Sequence, residues 1–416
     1  ICASYGIERG VVSLLENRDQ RKVLTTFVNQ FYLNCMGRPG DVDGLNYWTG
    51  ELMAGRRTGA DMAEYFFFQN EFTSKNTTDV EFVEYAYRAM FNREPDTSGL
   101  AFWVELQQKG VSRRHVLSRM VSVAEFKEQC DKAGIPVGSI ALSENRDKND
   151  ALTAFVNNLY LQTLGRSGDV DGLNYYTGEL LSKRTGGINV VQVMLRSPEF
   201  AGRNLPVEEY IRIVYRVMFG READPVGLAY WMGVGASGVS RDYLLSAMSG
   251  AEEFRTVCAN LGINVGAVTL TEARDKDAGV TGFVTNAMRS LWGSDADVSA
   301  INDLCNQVLA NKSAAATVLY NMTLSANFTS RNLDKNGYVI FTFTALCGKA
   351  PTTEELGTWT GALTDYHRED LRYSFFMQLA QSPLSCEYFS KQLGSNSFTT
   401  QENGIDVSAH KGHFDW

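Results

Sequence analysis

The chain has 416 residues, with 44% hydrophobic and 21% charged side chains and a formal net charge of −9. That length exceeds one ordinary core, so several folded, soluble domains are expected. The acidic balance argues against a nucleic-acid partner, and no apolar run approaches the roughly 18–20 residues that span a bilayer.

In chain order, residues 1–22 read as the tail of an upstream repeat and its linker. The string Glu16-Asn-Arg-Asp19 returns as Glu144-Asn-Arg-Asp147, so Ile1–Asp19 match the end of a unit and the chain reads as part of something longer. A first pair of modules is expected over residues 23–150. Phe27-Val28, Phe31-Tyr32 and Cys35-Met36 recur at helical spacing, Gly37 ends that helix, and Asp41 can cap the next. The second helix buries Leu45, Trp48 and Leu52, a third is expected over Ala60 to Phe68, and a short fourth turns Phe72 inward. A shift of 55 residues carries Phe27, Tyr32, Arg38, Asp41, Gly44, Leu45 and Trp48 onto Phe82, Tyr87, Arg93, Asp96, Gly99, Leu100 and Trp103. These open the second module. Ser112 can cap its third helix (Arg113 to Val121), and Ser122-Val-Ala-Glu125 reads as a capping box for its fourth. The linker Gly134 to Leu142 has strand-like content and is expected to form a small extended clip.

The second pair, residues 151–278, repeats the first at an ungapped offset of 128. Gly37-Arg-Pro-Gly-Asp-Val-Asp-Gly-Leu-Asn-Tyr-Trp48 returns as Gly165-Arg-Ser-Gly-Asp-Val-Asp-Gly-Leu-Asn-Tyr-Tyr176. Ser240 falls on Ser112 and Trp231 on Trp103, and Ser197-Pro-Glu199 offers a capping Ser with Pro at the first helical position. A divergent third pair covers residues 279–395, and a polar tail covers 396–416. In the third pair Gly293-Ser294 replaces Gly-Arg, Lys349 replaces Arg, and Thr352 stands where an Asp would cap. Two readings stay open for it: a terminal cap, or a unit re-shaped for a specific ligand. With eight prolines and this periodicity, the fold class is all-α, six small helical modules in three pairs with short extended linkers.

The string Gly-Arg-x-x-Asp-x-x-Gly-Leu-x-Tyr/Phe-Trp, followed by Ser-x-Glu-Phe, resembles the tandem bacterial domain-of-unknown-function 4214 family, whose pattern is related to the phycobilisome linker domain. The resemblance is good over residues 23–263 and blurred over 280–393. It implies helical modules of secreted and cell-surface proteins, a scaffolding or binding role, and no catalytic residues to carry over.

Several residue sets invite chemistry. Gly40-Asp-Val-Asp-Gly44 and Gly168-Asp-Val-Asp-Gly172 suggest calcium at Asp41, Asp43, Asp169 and Asp171, but the twelfth loop position is Leu52 instead of the bidentate Glu of an EF-hand. Helix capping is the competing reading. Arg38, Arg93, Arg166 and Arg221 lie three residues before their Asp partners and suggest a local clamp across the turn. Trp48 and Trp103 share a face with Leu45 and Leu100, whereas Tyr47, Phe102, Tyr175 and Tyr230 lie off it and are expected to be available for contact. The histidines 115, 367, 410 and 413 repeat in no module, and no nucleophile elbow, phosphate loop or zinc-protease helix occurs, so neither catalysis nor a cofactor is expected.

Cysteine offers a choice. Cys2, Cys130 and Cys258 share one repeat position, whereas Cys35, Cys305, Cys347 and Cys386 are each unique to a module. Cys347 aligns with Phe91 and Phe219, and Cys386 lies near the place of Phe126 and Phe254, so a Cys347–Cys386 disulfide is expected to replace an aromatic contact. Cys2–Cys35 and Cys258–Cys305 are further pairings, and seven buried thiols are the alternative. The leading functional expectation is a non-catalytic bacterial adhesion or binding module, secreted or at the cell surface, for glycan, mucin or a host glycoprotein such as immunoglobulin. The second is a self-associating stalk, filament or surface-layer element.

Overall fold

In the computed structural model, residues 13–293 and 297–394 are described. They form helices and connecting turns, with no strand among the described residues. The chain divides into two compact units, Ile1–Gly186 with Ala259–Asn264, and Gly187–Cys258 with Val265–Trp416.

In the first unit the opening module runs through Lys22–Phe31, a π-helical turn Tyr32–Met36, then Val42–Met53, Gly59–Phe68 and Asn70–Thr73. The second runs through Asp79–Ala86, a π-helical turn Tyr87–Phe91, then Thr97–Gln108, Arg113–Val121 and Ala124–Ala133. Each opening helix must stop on a left-handed residue. Gly37 takes φ 73° in the first module and Asn92 takes φ 57° in the second, the two residue types for which that conformation costs least.

Neither module closes a core alone. Phe67 of the first packs on Phe82 of the second with centroids 5.4 Å apart, and Phe27 meets Phe126 at 6.4 Å. All of these rings are buried in one cluster that runs from Leu24 to Ile140. Each buried Phe contributes on the order of 1.5–3 kcal/mol, so the pair, not the module, is the unit of packing. The linker is extended but forms no strand. It still acts as a clip, because Gly59 and Ala60 donate their free first-turn amides to the Pro136 and Val137 carbonyls at 2.9 and 2.7 Å. The short helix Asn17–Gln20 precedes these modules, and the turn Asn145–Asp147 and the helices Asp150–Leu164 and Val170–Leu181 follow them.

The second unit continues with Gly187–Leu195, Pro198–Ala201, Val207–Phe219, Pro225–Ala236 and Arg241–Ser249. The third pair follows with Ala278–Trp292, Val298–Ala310, Ala315–Leu324, Ala326–Thr329, Lys335–Cys347, Thr353–Ala362, Glu369–Ala380 and Pro383–Leu393. Its core repeats the cross-module aromatic contact: Phe283 of the first helix meets Phe389 of the last at 5.0 Å.

Two sequence expectations are corrected here. Ser122 does not open a capping box. It follows Arg113–Val121 as that helix's C-cap in helical conformation, its hydroxyl bonds the Ser118 carbonyl at 3.0 Å, and Val123 takes the cap position of the next helix. The Cys347–Cys386 disulfide is also absent, and both are free thiols. The residue of the last helix that faces Cys347 is Ser385, with Sγ and Oγ 3.3 Å apart. One position further turns a side chain by about 100° around a helix, so Cys386 points instead to the Gln381 carbonyl. Cys258 and Cys305 are likewise free, and Cys2 lies outside the described residues.

Candidate functional site

The repeated turn sets the geometry of every module in the first two pairs. Asp41, Asp96, Asp169 and Asp224 each cap their second helix, accepting from the amides of Gly44, Gly99, Gly172 and Gly227 at 2.7, 2.9, 2.8 and 2.9 Å. The glycine is required by what stands above it. A Cβ at any of the four would collide with the hydroxyl of Tyr32, Tyr87, Tyr160 or Tyr215. The turn arginines lie over those same rings, with Arg38, Arg93, Arg166 and Arg221 at 5.6, 5.0, 5.8 and 5.1 Å from the centroids.

The expected Arg–Asp clamp is present but is the longer of two bonds. Arg38 reaches Asp41 at 3.5 Å and Glu71 at 3.1 Å, and Arg93 reaches Asp96 at 3.6 Å and Glu125 at 2.7 Å. Arg221 does the same with Asp224 at 3.6 Å and Glu253 at 2.6 Å. These glutamates precede Phe72, Phe126 and Phe254, so the arginine ties the turn to the fourth helix. Bonds from backbone and side-chain donors hold the Asp41, Asp96 and Asp224 carboxyls below the usual range, Asp96 at about 2 with Ser98 as its main donor. Asp41 and Asp169 are therefore occupied as caps, Asp43 and Asp171 sit in the first turn, and no group of three His, Cys, Asp or Glu converges on a metal position among the described residues.

The four aromatic residues expected to be available are all exposed: Tyr47, Phe102, Tyr175 and Tyr230. Each leans edge-on against the following ring, with centroids 5.6, 4.8, 5.1 and 5.0 Å apart. Trp48 and Trp103 are buried as expected, and Trp231 is half-buried.

The first module adds a hollow to this platform. A groove of about 490 Å³ lies between its second and third helices, lined by Tyr32, Asp43, Gly44, Tyr47, Trp48, Arg57, Asp61 and Tyr65. Tyr47 and Tyr65 stand 54% and 51% exposed on either side of the buried Trp48, whose ring is 5.1 Å from Tyr65. Asp61 completes the capping box with Thr58, at 2.8 Å from the Thr58 amide, and lies 3.9 Å from Arg57. Counted from the cap of the third helix, Arg57, Asp61 and Tyr65 become Val111, His115 and Arg119 in the second module. In the third they become Thr185, Asn189 and Val193, and in the fourth Val239, Tyr243 and Ala247. The rings of the second helix are scaffold shared by the repeat, whereas Arg57, Asp61 and Tyr65 are replaced in the next three modules.

A family model described as a domain of unknown function (DUF4214) matches residues 63–130, 136–204 and 191–258. Residues 63–258 belong to the DUF4214 family. The first and last matches start and end 128 residues apart, the offset of the pair repeat. No curated protein and no solved structure matches the chain.

The module pairs are joined by a bond network that residue spacing alone does not reveal. Asp147, buried, accepts from the Ser112 amide at 2.8 Å and the Ser112 hydroxyl at 2.6 Å, and Asp275 treats Ser240 identically at 2.8 and 2.6 Å. His115 stands beside the first clamp, its Nδ1 2.9 Å from the Asp147 carbonyl. A serine, a histidine and an aspartate thus meet, but the hydroxyl donates to the carboxylate and not to the imidazole. That is a cap clamp, and the second copy carries Tyr243 in place of His115. The recurring Glu144-Asn-Arg-Asp147 motif was visible in the sequence; its serine partner lies 35 residues upstream.

The third pair, outside the matched residues, has two adjoining hollows of its own. One of about 430 Å³ is lined by Thr323, Phe328, Asn332, Tyr338, Glu369 and Arg372 among others, and one of about 440 Å³ includes Asp334, Lys335, Asp365 and His367. Arg372 holds the loop between them by donating to the Tyr366 and His367 carbonyls at 2.9 and 3.4 Å. His410 and His413 lie outside the described residues.

Proposed function

We propose that this protein is a non-catalytic binding module of a bacterial secreted or cell-surface protein, and that it takes glycan in the groove of its first module. The observation that carries this reading is the convergence of Tyr47, Trp48 and Tyr65 with Asp43, Asp61 and Arg57 in one groove of about 490 Å³. A pyranose presents a C–H face that packs on an aromatic ring and hydroxyls that bond carboxylate and guanidinium. The groove offers both kinds of group within one sugar's reach. The exposed Phe102, Tyr175 and Tyr230 supply further platforms without the polar rim, an arrangement that suits weak multivalent contact along an extended glycan or mucin.

Binding of the intact chain to arrays of mucin-type and N-linked glycans tests the reading. Tyr65→Ala and Arg57→Ala each remove groove atoms at half-exposed positions and are expected to weaken binding about tenfold or more, while Tyr230→Ala has a smaller effect. Unchanged glycan binding in Tyr65→Ala, with an unchanged helical circular dichroism spectrum, overturns it.

A further inference from the structure

The clamp between pairs has an unfilled counterpart at the first module. Where the second module is followed by residues 144–174, four bonds converge on its Gln108–Arg113 turn. Asn157 donates to the Gln108 carbonyl at 2.9 Å, Arg146 donates to the Gly110 carbonyl at 3.4 Å, and Asp147 accepts twice from Ser112. Gly110, at φ 99°, lies so close to Leu173 that a Cβ would sit 3.0 Å from it. The second unit repeats the pattern, with Arg274 donating to the Gly238 carbonyl at 3.3 Å, Asp275 on Ser240, and Thr285 against Gly238.

The equivalents 128 residues earlier are Arg18, Asp19, Asn29 and Leu45. They are already arranged. Arg18 bonds Glu16 at 2.6 Å and Asn46 bonds Glu16 at 3.2 Å, as Arg146 bonds Glu144 at 2.6 Å and Asn174 bonds Glu144 at 3.0 Å. What differs is coverage. Asp19 is exposed, whereas Asp147 and Asp275 are 2% and 3% exposed. Asn29 uses its oxygen on the Gly40 amide at 2.8 Å, and among the described residues its Nδ2 has no counterpart to the Asn157 bond. Leu45 is half-buried where Leu173 is buried.

We infer that the face formed by Arg18, Asp19, Asn29 and Leu45 is a docking surface for another DUF4214 module pair, one whose Gly-Val-Ser-Arg turn is free. Both occupied junctions supply a carbonyl oxygen for Arg18 and a serine amide and hydroxyl for Asp19, and the first, which has the same Asn and Leu, adds a second carbonyl for Asn29 and a glycine against Leu45. The chain's own turns at Gly110–Arg113 and Gly238–Arg241 are engaged. The third pair carries Tyr366-His367-Arg368 there, with Arg368 as the cap residue, whose side chain makes no capping bond and pairs with Asp370 instead. Among the described residues the acceptor face is therefore present without a free donor turn, and residues 13–394 are not expected to polymerise through this surface.

The decisive experiment adds the donor to the intact chain by duplicating residues 16–143 in tandem ahead of Glu16, which restores the repeat register. In that extended protein Asp19→Ala (at the original position) is expected to lower the melting temperature and to speed hydrogen exchange at the added Ser112 amide. The same substitution in the original chain is expected to leave the melting temperature unchanged. A second readout mixes the intact chain with residues 13–143 carrying Asp19→Ala. This fragment keeps the Leu24–Ile140 core whole and leaves its Ser112 turn free. A complex by sedimentation, weakened at least about tenfold when the intact chain also carries Asp19→Ala, supports the assignment. It is overturned if Asp19→Ala is silent in the tandem protein, or if no complex forms at about 1 mM, the effective concentration a short linker provides.

Discussion

In the first pair, Arg38 and Arg93 span from the turn to Glu71 and Glu125 at 3.1 and 2.7 Å, fastening the fourth helix, whereas in the third pair Lys349 reaches only Glu355, at 3.0 Å, in the first turn of the next helix. The Asp cap has likewise become Thr352, which with Glu355 forms a full capping box. Yet both pairs bury the same kind of aromatic seam, Phe27 on Phe126 and Phe283 on Phe389. The difference separates two jobs. The seam makes a pair fold, and exposed ion pairs at the turn contribute little to it, so the turn is free to drift once the cap is kept.

If the seam carries stability in both regions, cutting it should hurt them equally. Phe126→Ala and Phe389→Ala remove fully buried rings, and each is expected to destabilise its own unit by about 3–5 kcal/mol in urea denaturation followed by tryptophan fluorescence and circular dichroism. A loss at Phe389 under half of that at Phe126 would break the comparison.

The turns should respond in opposite directions to one added methyl. Gly44 sits beneath the Tyr32 hydroxyl, so Gly44→Ala forces the ring or the helix aside, at a cost of about 1–3 kcal/mol. Gly357 lies inside the equivalent helix of the last module with nothing within 4 Å, so Gly357→Ala only removes backbone freedom and is expected to stabilise by about 0.5–1 kcal/mol. Paired thermal melts of the two variants give the sign directly.

The repeat made much of this readable. Caps, helix ends and inward Phe positions depend on neighbours a few residues away, which is why Asp41, Gly37 and Phe126 were placed from sequence. The groove was half legible. Tyr47 stood out by its register, but Arg57, Asp61 and Tyr65 sit on another helix, and only the packing of the two brings them together. Their departure from the second, third and fourth modules was the available signal. The glutamates bound by Arg38 and Arg93 were also in plain view, one residue before each Phe, whereas the Ser112–Asp147 clamp joins residues that no local rule connects. The Cys347–Cys386 expectation failed by one residue. Repeat alignment fixed the neighbourhood to within a position, and a helix makes one position decisive.

The smallest effect sharpens the comparison at the cap itself. Asp96 differs from Asp41 in having a hydroxyl two residues on: Ser98 donates to it at 2.6 Å, where the first module carries Asp43, which as a carboxylate has no proton to give. The Ser98 bond is the largest influence that brings Asp96 down to about 2. A depressed carboxyl contributes stability that is fully present above its unfolded value, near 3.8, and is lost as pH falls through about 2. Ser98→Ala should therefore move the Asp96 titration, followed by carboxyl carbon NMR, upward toward the ordinary range. The Asp96 share of acid stability should then disappear at a higher pH than in the parent chain. Asp41 should titrate unchanged in the same sample, because its main donor is the Gly44 amide. An unmoved Asp96 would mean that the backbone alone sets both caps, and that Ser98 and Asp43 are interchangeable there.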